Sequence, residues 1–225
     1  MSIIINSDKR TDQSVSPTEF KLQYQYPLEK GDYTLKYVYM PFTISTINKN
    51  NQSFLLNGSL ISLPIGDYLT VESLRIVLET TLQSVDVNFT VTVIGNVLTI
   101  TNTSNFTLDF TDYDTARVLG FQKRSYAPTL SQDGSGIVNL NPLTSINILV
   151  NNRCDIRDNG SLAYTFRIPV IANKNSFITY EPNMWRQTVN FTSDQHLLTI
   201  RVCDDSFRTV DTQGVNWWMV LKRSE

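Results

Sequence analysis

Leu63-Pro64-Ile65-Gly66-Asp67-Tyr68-Leu69 is a turn-forming stretch in a chain whose other segments mostly alternate apolar and polar residues, as β-strands do. Pro64 restricts its own φ angle and Gly66 tolerates a positive one, so the stretch predicts a turn with Gly66 in that geometry. Thr70 is a suitable N-cap for a helix directly after the turn. The apolar residues of this helix recur at helical spacing: Val71, Leu74, Leu78 and Leu82. One helix among strands is an organisation typical of a structural protein rather than an enzyme.

Alternating segments on both sides of this turn predict eight short strands. Before it, residues 19–26 and 33–39 alternate on either side of Glu29-Lys30-Gly31 and are expected to pair as antiparallel neighbours. Six more strands are predicted later in the chain: residues 146–151, 162–168, 177–180, 188–191, 198–202 and 215–221. Eight short antiparallel strands suit a jelly roll built of two sheets.

Residues 49–136 have a different pattern and predict a small α+β unit. A strand over Ser53–Leu63 precedes the turn and the helix, and Gly95-Asn96 predicts a type II′ hairpin because the glycine comes first. Asp112 or Asp114 is expected to cap a short second helix, which Gly120 ends. These elements together form a compact unit of their own.

The predicted fold is therefore mainly β: a single eight-stranded antiparallel jelly roll with this small α+β unit inserted between the second and third strands. In this interpretation residues 19–48 and 137–225 form the jelly roll, residues 49–136 form the inserted domain with its linkers, and residues 1–18 form a polar N-terminal arm. Residues 6–18 lack periodicity and are expected to be unordered, or to become ordered on a neighbouring molecule. A single continuous sandwich with the helix as a crossover remains the alternative.

The composition excludes several classes of partner. A net charge of −2 over 225 residues provides no broad basic surface, so nucleic acid is not an expected partner. No run approaches the ~20 apolar residues that span a bilayer, and Ser2-Ile3-Ile4-Ile5 is too short for the core of a signal peptide. The chain is therefore expected to stay in a reducing compartment, where Cys154 and Cys203 are buried thiols.

The sequence carries no pattern of catalytic or metal-binding residues. His196 is the single histidine and is expected to be a solvated turn residue, which leaves too few ligands for a zinc site. Gly134-Ser135-Gly136 lacks the frame of a nucleophile elbow, and the acidic residues within 155–158 and at 204–205 lack the spacing of a calcium loop. We therefore predict no enzyme activity and no cofactor.

The pair Trp217-Trp218 near the C-terminus indicates a contact between subunits. Because side chains alternate along a strand, Trp217 and Met219 share the core face, whereas Trp218 and Val220 point outwards. Leu149 has the same outward position on its own strand. Large apolar side chains on an outer face mark interaction surfaces, so Trp218, Val220 and Leu149 are the candidate subunit contacts.

Six segments follow one another in a recognisable order: Gln23-Tyr24-Gln25-Tyr26-Pro27-Leu28, Tyr37-Val38-Tyr39-Met40-Pro41, Leu63-Pro64-Ile65-Gly66-Asp67-Tyr68, Val97-Leu98-Thr99-Ile100-Thr101-Asn102, Ala116-Arg117-Val118-Leu119-Gly120-Phe121, and Val210-Asp211 followed by Trp217. Their order and spacing resemble the minor capsid proteins of virophages, polinton-like viruses and related large eukaryotic DNA viruses. The resemblance is strongest to the single jelly-roll penton proteins, and it extends over nearly the whole chain from residue 20.

The resemblance implies a viral capsid protein that forms a homopentamer and closes the fivefold vertices of an icosahedral virion, beside a double jelly-roll major capsid protein. It places the chain in the virion, after assembly inside the host cell. Some relatives carry an outward-projecting insertion, which the predicted α+β unit matches. The alternatives are another minor virion protein, or a module that attaches the virion to a host receptor or glycan.

Overall fold

The computed structural model describes residues 1–11, 16–141, 143–151, 155–156, 162–163, 165–182 and 186–224. The chain is mainly β. Its elements are β1 (Ser2–Asn6), β2 (Glu19–Leu28), β3 (Gly31–Pro41), β4 (Ser53–Leu56), β5 (Ser59–Ser62), α1 (Val71–Gln83), β6 (Thr90–Ile94), β7 (Val97–Phe106), β8 (Leu108–Asp109), α2 (Thr115–Leu119), β9 (Thr129–Asp133), β10 (Ser145–Val150), β11 (Asp155–Ile156), β12 (Leu162–Ala163), β13 (Phe166–Pro169), β14 (Phe177–Tyr180), β15 (Thr188–Phe191), β16 (Gln195–Cys203) and β17 (Trp218–Arg223). No helix in the described ranges is long and apolar enough to cross a membrane.

Contacts divide the chain into two compact units. The first unit comprises Met1–Ile44 together with Leu143–Glu225, and the second unit is Ser45–Pro142. Each unit has a hydrophobic core of its own. The more detailed prediction, in which the second unit is an insertion into an eight-stranded jelly roll, stays a prediction.

Two antiparallel sheets of the first unit share one core, and β11 and β12 pair as a separate two-stranded sheet. The β3 sheet has the order β1-β17-β3-β14, with β15 also paired to β3, and the β16 sheet has the order β13-β10-β16-β2. Both sheets contribute buried side chains to the same cluster, in which the rings of Phe20 on β2 and Trp217 beside β17 meet edge to face at 5.8 Å. Two antiparallel sheets on one core are consistent with a jelly-roll-like fold.

The predicted pairing of the first two long strands is wrong. β2 pairs with β16, and β3 pairs with β14, β15 and β17, so the two strands lie in different sheets. Lys30, between them, donates its backbone N–H to the Asp194 carboxylate at 2.7 Å, and the Tyr33 hydroxyl donates to the Glu29 carbonyl at 2.9 Å. Alternation reveals that each strand has one buried face, but it does not identify the neighbour.

The N-terminal segment also differs from the expectation that regular structure begins at residue 19. β1 pairs with β17 over Ser2–Asn6, and Ile3 and Ile5 are buried in the core. A short 3-10 turn at Ser7–Lys9 follows, in which the Ser7 N–H donates to the Trp217 carbonyl at 2.9 Å. Two of the three consecutive isoleucines are buried at a sheet edge. The free energy of this burial stabilises the strand, although the segment as a whole is polar. Residues 12–15 of the predicted arm lie outside the described residues.

The second unit combines two three-stranded sheets, β5-β4-β8 and β6-β7-β9, with the two helices. The helix predicted after the turn is confirmed as α1: the Ser73 N–H donates to the Thr70 side chain at 3.1 Å, and the Thr70 N–H donates to the Ser73 hydroxyl at 3.3 Å. Leu74, Leu78 and Leu82 are buried along one face of this helix. Gly120 ends α2 with a φ of 77°, as predicted.

Three turn predictions in the second unit need correction. The strand expected over Ser53–Leu63 is the β4–β5 hairpin, because Asn57 and Gly58 both take positive φ angles and reverse the chain. Gly95-Asn96 does form a hairpin, but both residues have positive φ, which is the type I′ geometry rather than II′. Gly66 is not a positive-φ residue, since it exchanges two backbone hydrogen bonds with Ile47 as a β-bridge.

Candidate subunit interface

The alternation predicted for the last strand is present in the structure. Trp217 is 1 % exposed and Met219 is fully buried, whereas Trp218 and Val220 are half-buried on the opposite face. The Trp217 indole N–H donates to the Pro17 carbonyl at 2.7 Å, so the buried ring has its polar atom satisfied. β17 therefore has one face in the core and one outward face that carries two large apolar side chains.

Strand register extends this outward face across the β3 sheet. Val220 lies opposite Ile4 of β1 on one side and opposite Tyr37 of β3 on the other, and Trp218 lies opposite Tyr39. Ile4 is 64 % exposed. Because residues in register on neighbouring strands share a face, these side chains form one continuous apolar surface.

Four aromatic rings on this surface stack in a row, which we call the aromatic ladder: Tyr37, Trp218, Tyr39 and Phe177. The ring centroids of Tyr37 and Trp218 are 5.1 Å apart, those of Trp218 and Tyr39 are 5.7 Å apart, and those of Tyr39 and Phe177 are 4.5 Å apart. The planes of neighbouring rings differ by only 14–25°. Each such pair adds about 0.5–1.5 kcal/mol beyond the burial of its area, so the ladder is a rigid, preformed surface.

The outward face of the β16 sheet has a different character. Its cross-strand pairs include Glu19 with Arg201 and Lys21 with Thr199, and Leu197 is an exposed apolar residue beside them. Charged and hydroxyl side chains can remain hydrated on such a face, whereas a row of aromatic rings cannot. Exposed apolar patches mark interaction surfaces, and the aromatic ladder on the β3 sheet is such a patch.

Leu149 does not belong to an exposed surface, which contradicts its prediction as a subunit contact. It is 2 % exposed, and all six residues of β10 are buried. The loop after β16 lies across this face: Asp205 accepts a hydrogen bond from the Asn147 side chain at 2.9 Å. Arg201, the cross-strand neighbour of Leu149, donates to the Phe207 carbonyl at 2.6 Å. The chain thus covers Leu149 by itself.

Ladder rings present their edges rather than their faces to the surroundings. Trp218 has a stacked ring on each side, Tyr37 and Tyr39, and Tyr39 likewise has Trp218 and Phe177. A ring face that is already stacked is closed to a planar ligand. The middle of the ladder is therefore suited to packing against protein side chains, and the end rings are the ones with a second face to offer.

The other residues that the sequence analysis weighed as possible functional groups, where the structure describes them, do not come together as a site. His196 is exposed and lies within β16, next to a register shift, rather than in a turn. Cys203 is buried, with its thiol 3.6 Å from the Asn147 carbonyl, and Cys154 lies outside the described residues. The Asp204 carboxylate forms an ion pair with the Arg208 guanidinium, with 2.8 Å between Oδ2 and Nη2. In the described ranges no group of three potential ligands lies together as a metal site would require.

Two buried polar atoms in the described part of the first unit have no hydrogen-bond partner, the Tyr24 hydroxyl and the Asn147 side-chain oxygen. Burial raises the pKa of Tyr24 to about 12, because removal from water disfavours the charged phenolate. Tyr24 packs against the core from β2.

Comparison with known proteins gives a likeness of fold alone. No protein-family model matches the sequence, and no curated protein is similar to it. Among solved structures, the chain is similar to the crystal structure of a mavirus penton protein with a TM-score of 0.50. The identity is 8 %, and the match covers the whole of both chains. An 8 % identity carries the arrangement of strands and not the role of any residue.

Proposed function

We propose that this protein is a structural component of a viral capsid and acts by self-association rather than by catalysis. The observation that carries the proposal is the aromatic ladder on the outward face of the β3 sheet, in a fold like that of a penton protein. The ladder has the composition of an interface centre, where tryptophan and tyrosine contribute most of the binding energy. The virion is accordingly the place where the protein acts.

The more specific proposal is a homopentamer that closes the icosahedral fivefold vertices. A fivefold ring uses a heterologous contact, in which one surface of each subunit meets a different surface of the next. Trp218 and Val220, with Ile4 beside them, supply one side of that contact. The ring then meets a double jelly-roll major capsid protein at its rim. Neither the contact between subunits nor the contact with the major capsid protein requires a metal, a cofactor or a nucleophile.

The mass of the purified full-length chain in solution tests this proposal. Light scattering after size-exclusion chromatography, over a hundredfold range of concentration, separates the outcomes. A stable species of five times the single-chain mass of 25.7 kDa supports the penton. A different closed oligomer supports another minor virion protein and contradicts the penton assignment. A monomer at every concentration contradicts self-association through the ladder.

A further inference from the structure

A groove lies at one end of the aromatic ladder. Its volume is about 510 Å³, and the described residues that line it are Tyr37, Pro169, Ile171, Thr179, Tyr180 and Glu181. Tyr180 opposite Val38 is the last pair between β14 and β3, so the groove begins where β14 leaves its neighbour. A volume of this size is in the range of small-ligand sites, roughly 300–1,000 Å³.

The residues that line the groove include an aromatic ring, apolar side chains and polar side chains. Tyr37, whose ring stacks on Trp218 on one side, is the end ring of the ladder and lines the groove. Pro169 and Ile171 form an apolar wall, with Ile171 77 % exposed. Such an exposed apolar side chain next to an aromatic ring is a surface that a ligand with its own apolar patch can cover.

The polar groups of the groove are acceptors and hydroxyls, with no cationic side chain among the described lining residues. The Tyr180 hydroxyl accepts a hydrogen bond from the Gln187 side chain at 3.0 Å, which leaves its own proton for a ligand oxygen. The Glu181 carboxylate and the Thr179 hydroxyl can accept from ligand hydroxyls. A carboxylate in a lining whose described residues include no cationic side chain disfavours an anionic ligand and favours one with many hydroxyl donors.

We infer that this groove binds a neutral oligosaccharide. A pyranose ring has an apolar face of C–H groups, which stacks on the second face of Tyr37, and a rim of hydroxyls, which reach Glu181, Thr179 and Tyr180. The groups of the protein and the ligand are chemically complementary. The aromatic ring packs against the C–H face of the sugar, and the carboxylate accepts hydrogen bonds from its hydroxyls. This site is separate from the middle of the ladder, whose ring faces are closed, and it does not rest on the proposed capsid role.

The first experiment is a glycan array that carries neutral and sialylated oligosaccharides, probed with the purified full-length protein. Binding to neutral oligosaccharides supports the inference. Binding to none of them, or to sialylated ones alone, overturns it. The best neutral oligosaccharide is then titrated calorimetrically against the wild type and the variants.

Four variants locate the site. Tyr37→Leu removes the ring and Glu181→Gln removes the charge, and each is expected to weaken binding about tenfold or more. Tyr37→Phe keeps the ring and is expected to bind within about threefold of the wild type, because a neutral hydrogen bond contributes little net energy. Tyr26→Leu is the matched control, since Tyr26 is an exposed tyrosine on β2 of the other sheet.

Thermal melting of each variant checks that it is folded. Unchanged affinity in both Tyr37→Leu and Glu181→Gln, or an equal loss in Tyr26→Leu, overturns the placement of the site. The mass of each sample is measured in the same buffer, so the two proposals fail separately. A pentamer that binds no oligosaccharide refutes the groove alone, and a monomer that binds one refutes the capsid contact alone.

Discussion

Replacing Trp218 by aspartate is the sharpest test of the proposed interface. Within one chain the substitution removes two stacked ring pairs, with Tyr37 at 5.1 Å and with Tyr39 at 5.7 Å. At about 0.5–1.5 kcal/mol for each pair, the folded chain loses about 1–3 kcal/mol of ring stacking. A domain stabilised by about 5–15 kcal/mol tolerates that loss, so we expect a folded protein.

The effect on assembly is expected to be larger. An aromatic anchor at the centre of an interface contributes about 2 kcal/mol or more, and a charge placed there must also be desolvated. A loss of 2 kcal/mol weakens each contact about thirtyfold. Because a closed ring contains the contact once for every subunit, Trp218→Asp should give a folded monomer under conditions in which the wild type is a ring.

Trp217→Asp is the matched contrast, at the residue directly before β17. This ring is 1 % exposed, packs against Phe20 and donates to the Pro17 carbonyl. Loss of a buried tryptophan costs about 3–5 kcal/mol, and burial of a carboxylate adds to that cost, so this variant should not fold. Gln23→Asp, an exposed position on the outward face of β2, should change neither property.

Light scattering and near-ultraviolet circular dichroism measure mass and folding for all three variants. A Trp218→Asp protein with the same oligomeric mass as the wild type would refute the reasoning, because the contact would then lie elsewhere. Loss of the oligomer in Gln23→Asp would refute it as well, since any added charge would then have the same effect.

Four further outcomes are expected. Ile5→Ala should lower the free energy of unfolding by about 2–5 kcal/mol in denaturant titrations, whereas Ile4→Ala on the exposed face should change it by less than about 0.5 kcal/mol; equal effects would contradict the placement of β1. Gly120→Ala and Gly58→Ala both place a side chain at a φ of 77°, but only at Gly120 does the new Cβ collide with a backbone oxygen, that of Gly136. Only Gly120→Ala should therefore cost several kcal/mol, and similar melting temperatures would refute this. Because the pKa of Tyr24 is raised to about 12 in the folded chain from 10.0, its stabilising contribution is complete below pH 10 and is lost between pH 10 and 12. Tyr24→Phe should reduce that loss by roughly 3 kcal/mol at most, and an unaltered alkaline profile would contradict the burial of its hydroxyl. Metal chelators should leave the melting temperature unchanged, and stoichiometric zinc or iron in the purified protein would contradict this.

Local signals predicted part of the candidate interface. Alternation along a single strand is a property of backbone geometry, so it placed Trp217 inwards and Trp218 outwards without knowledge of any neighbour. The same reasoning failed for Leu149, because the cover over β10 comes from the loop after β16, more than 50 residues later in the chain. The stacking partners Tyr37 and Phe177 come from other strands, and their positions depend on register that no single segment encodes.

The groove could not be predicted from the sequence, because it too depends on the register between distant strands. Tyr37 and Glu181 lie far apart in the chain and meet because β14 pairs with β3 up to Tyr180. Each of these residues alone looks like an ordinary strand or turn residue. The pattern of a single strand cannot indicate which rings stack and which one borders a groove.

The sequence by itself determined the elements whose causes are local. Thr70 and Ser73 cap α1, the spacing of Leu74, Leu78 and Leu82 sets its buried face, and Gly120 ends α2. These depend on hydrogen bonds and sterics within a few residues. The tertiary structure alone decided that β2 and β3 lie in different sheets and that β1 completes an edge. Strand pairing joins residues distant in sequence, and its free energy depends on the whole core that each arrangement can bury.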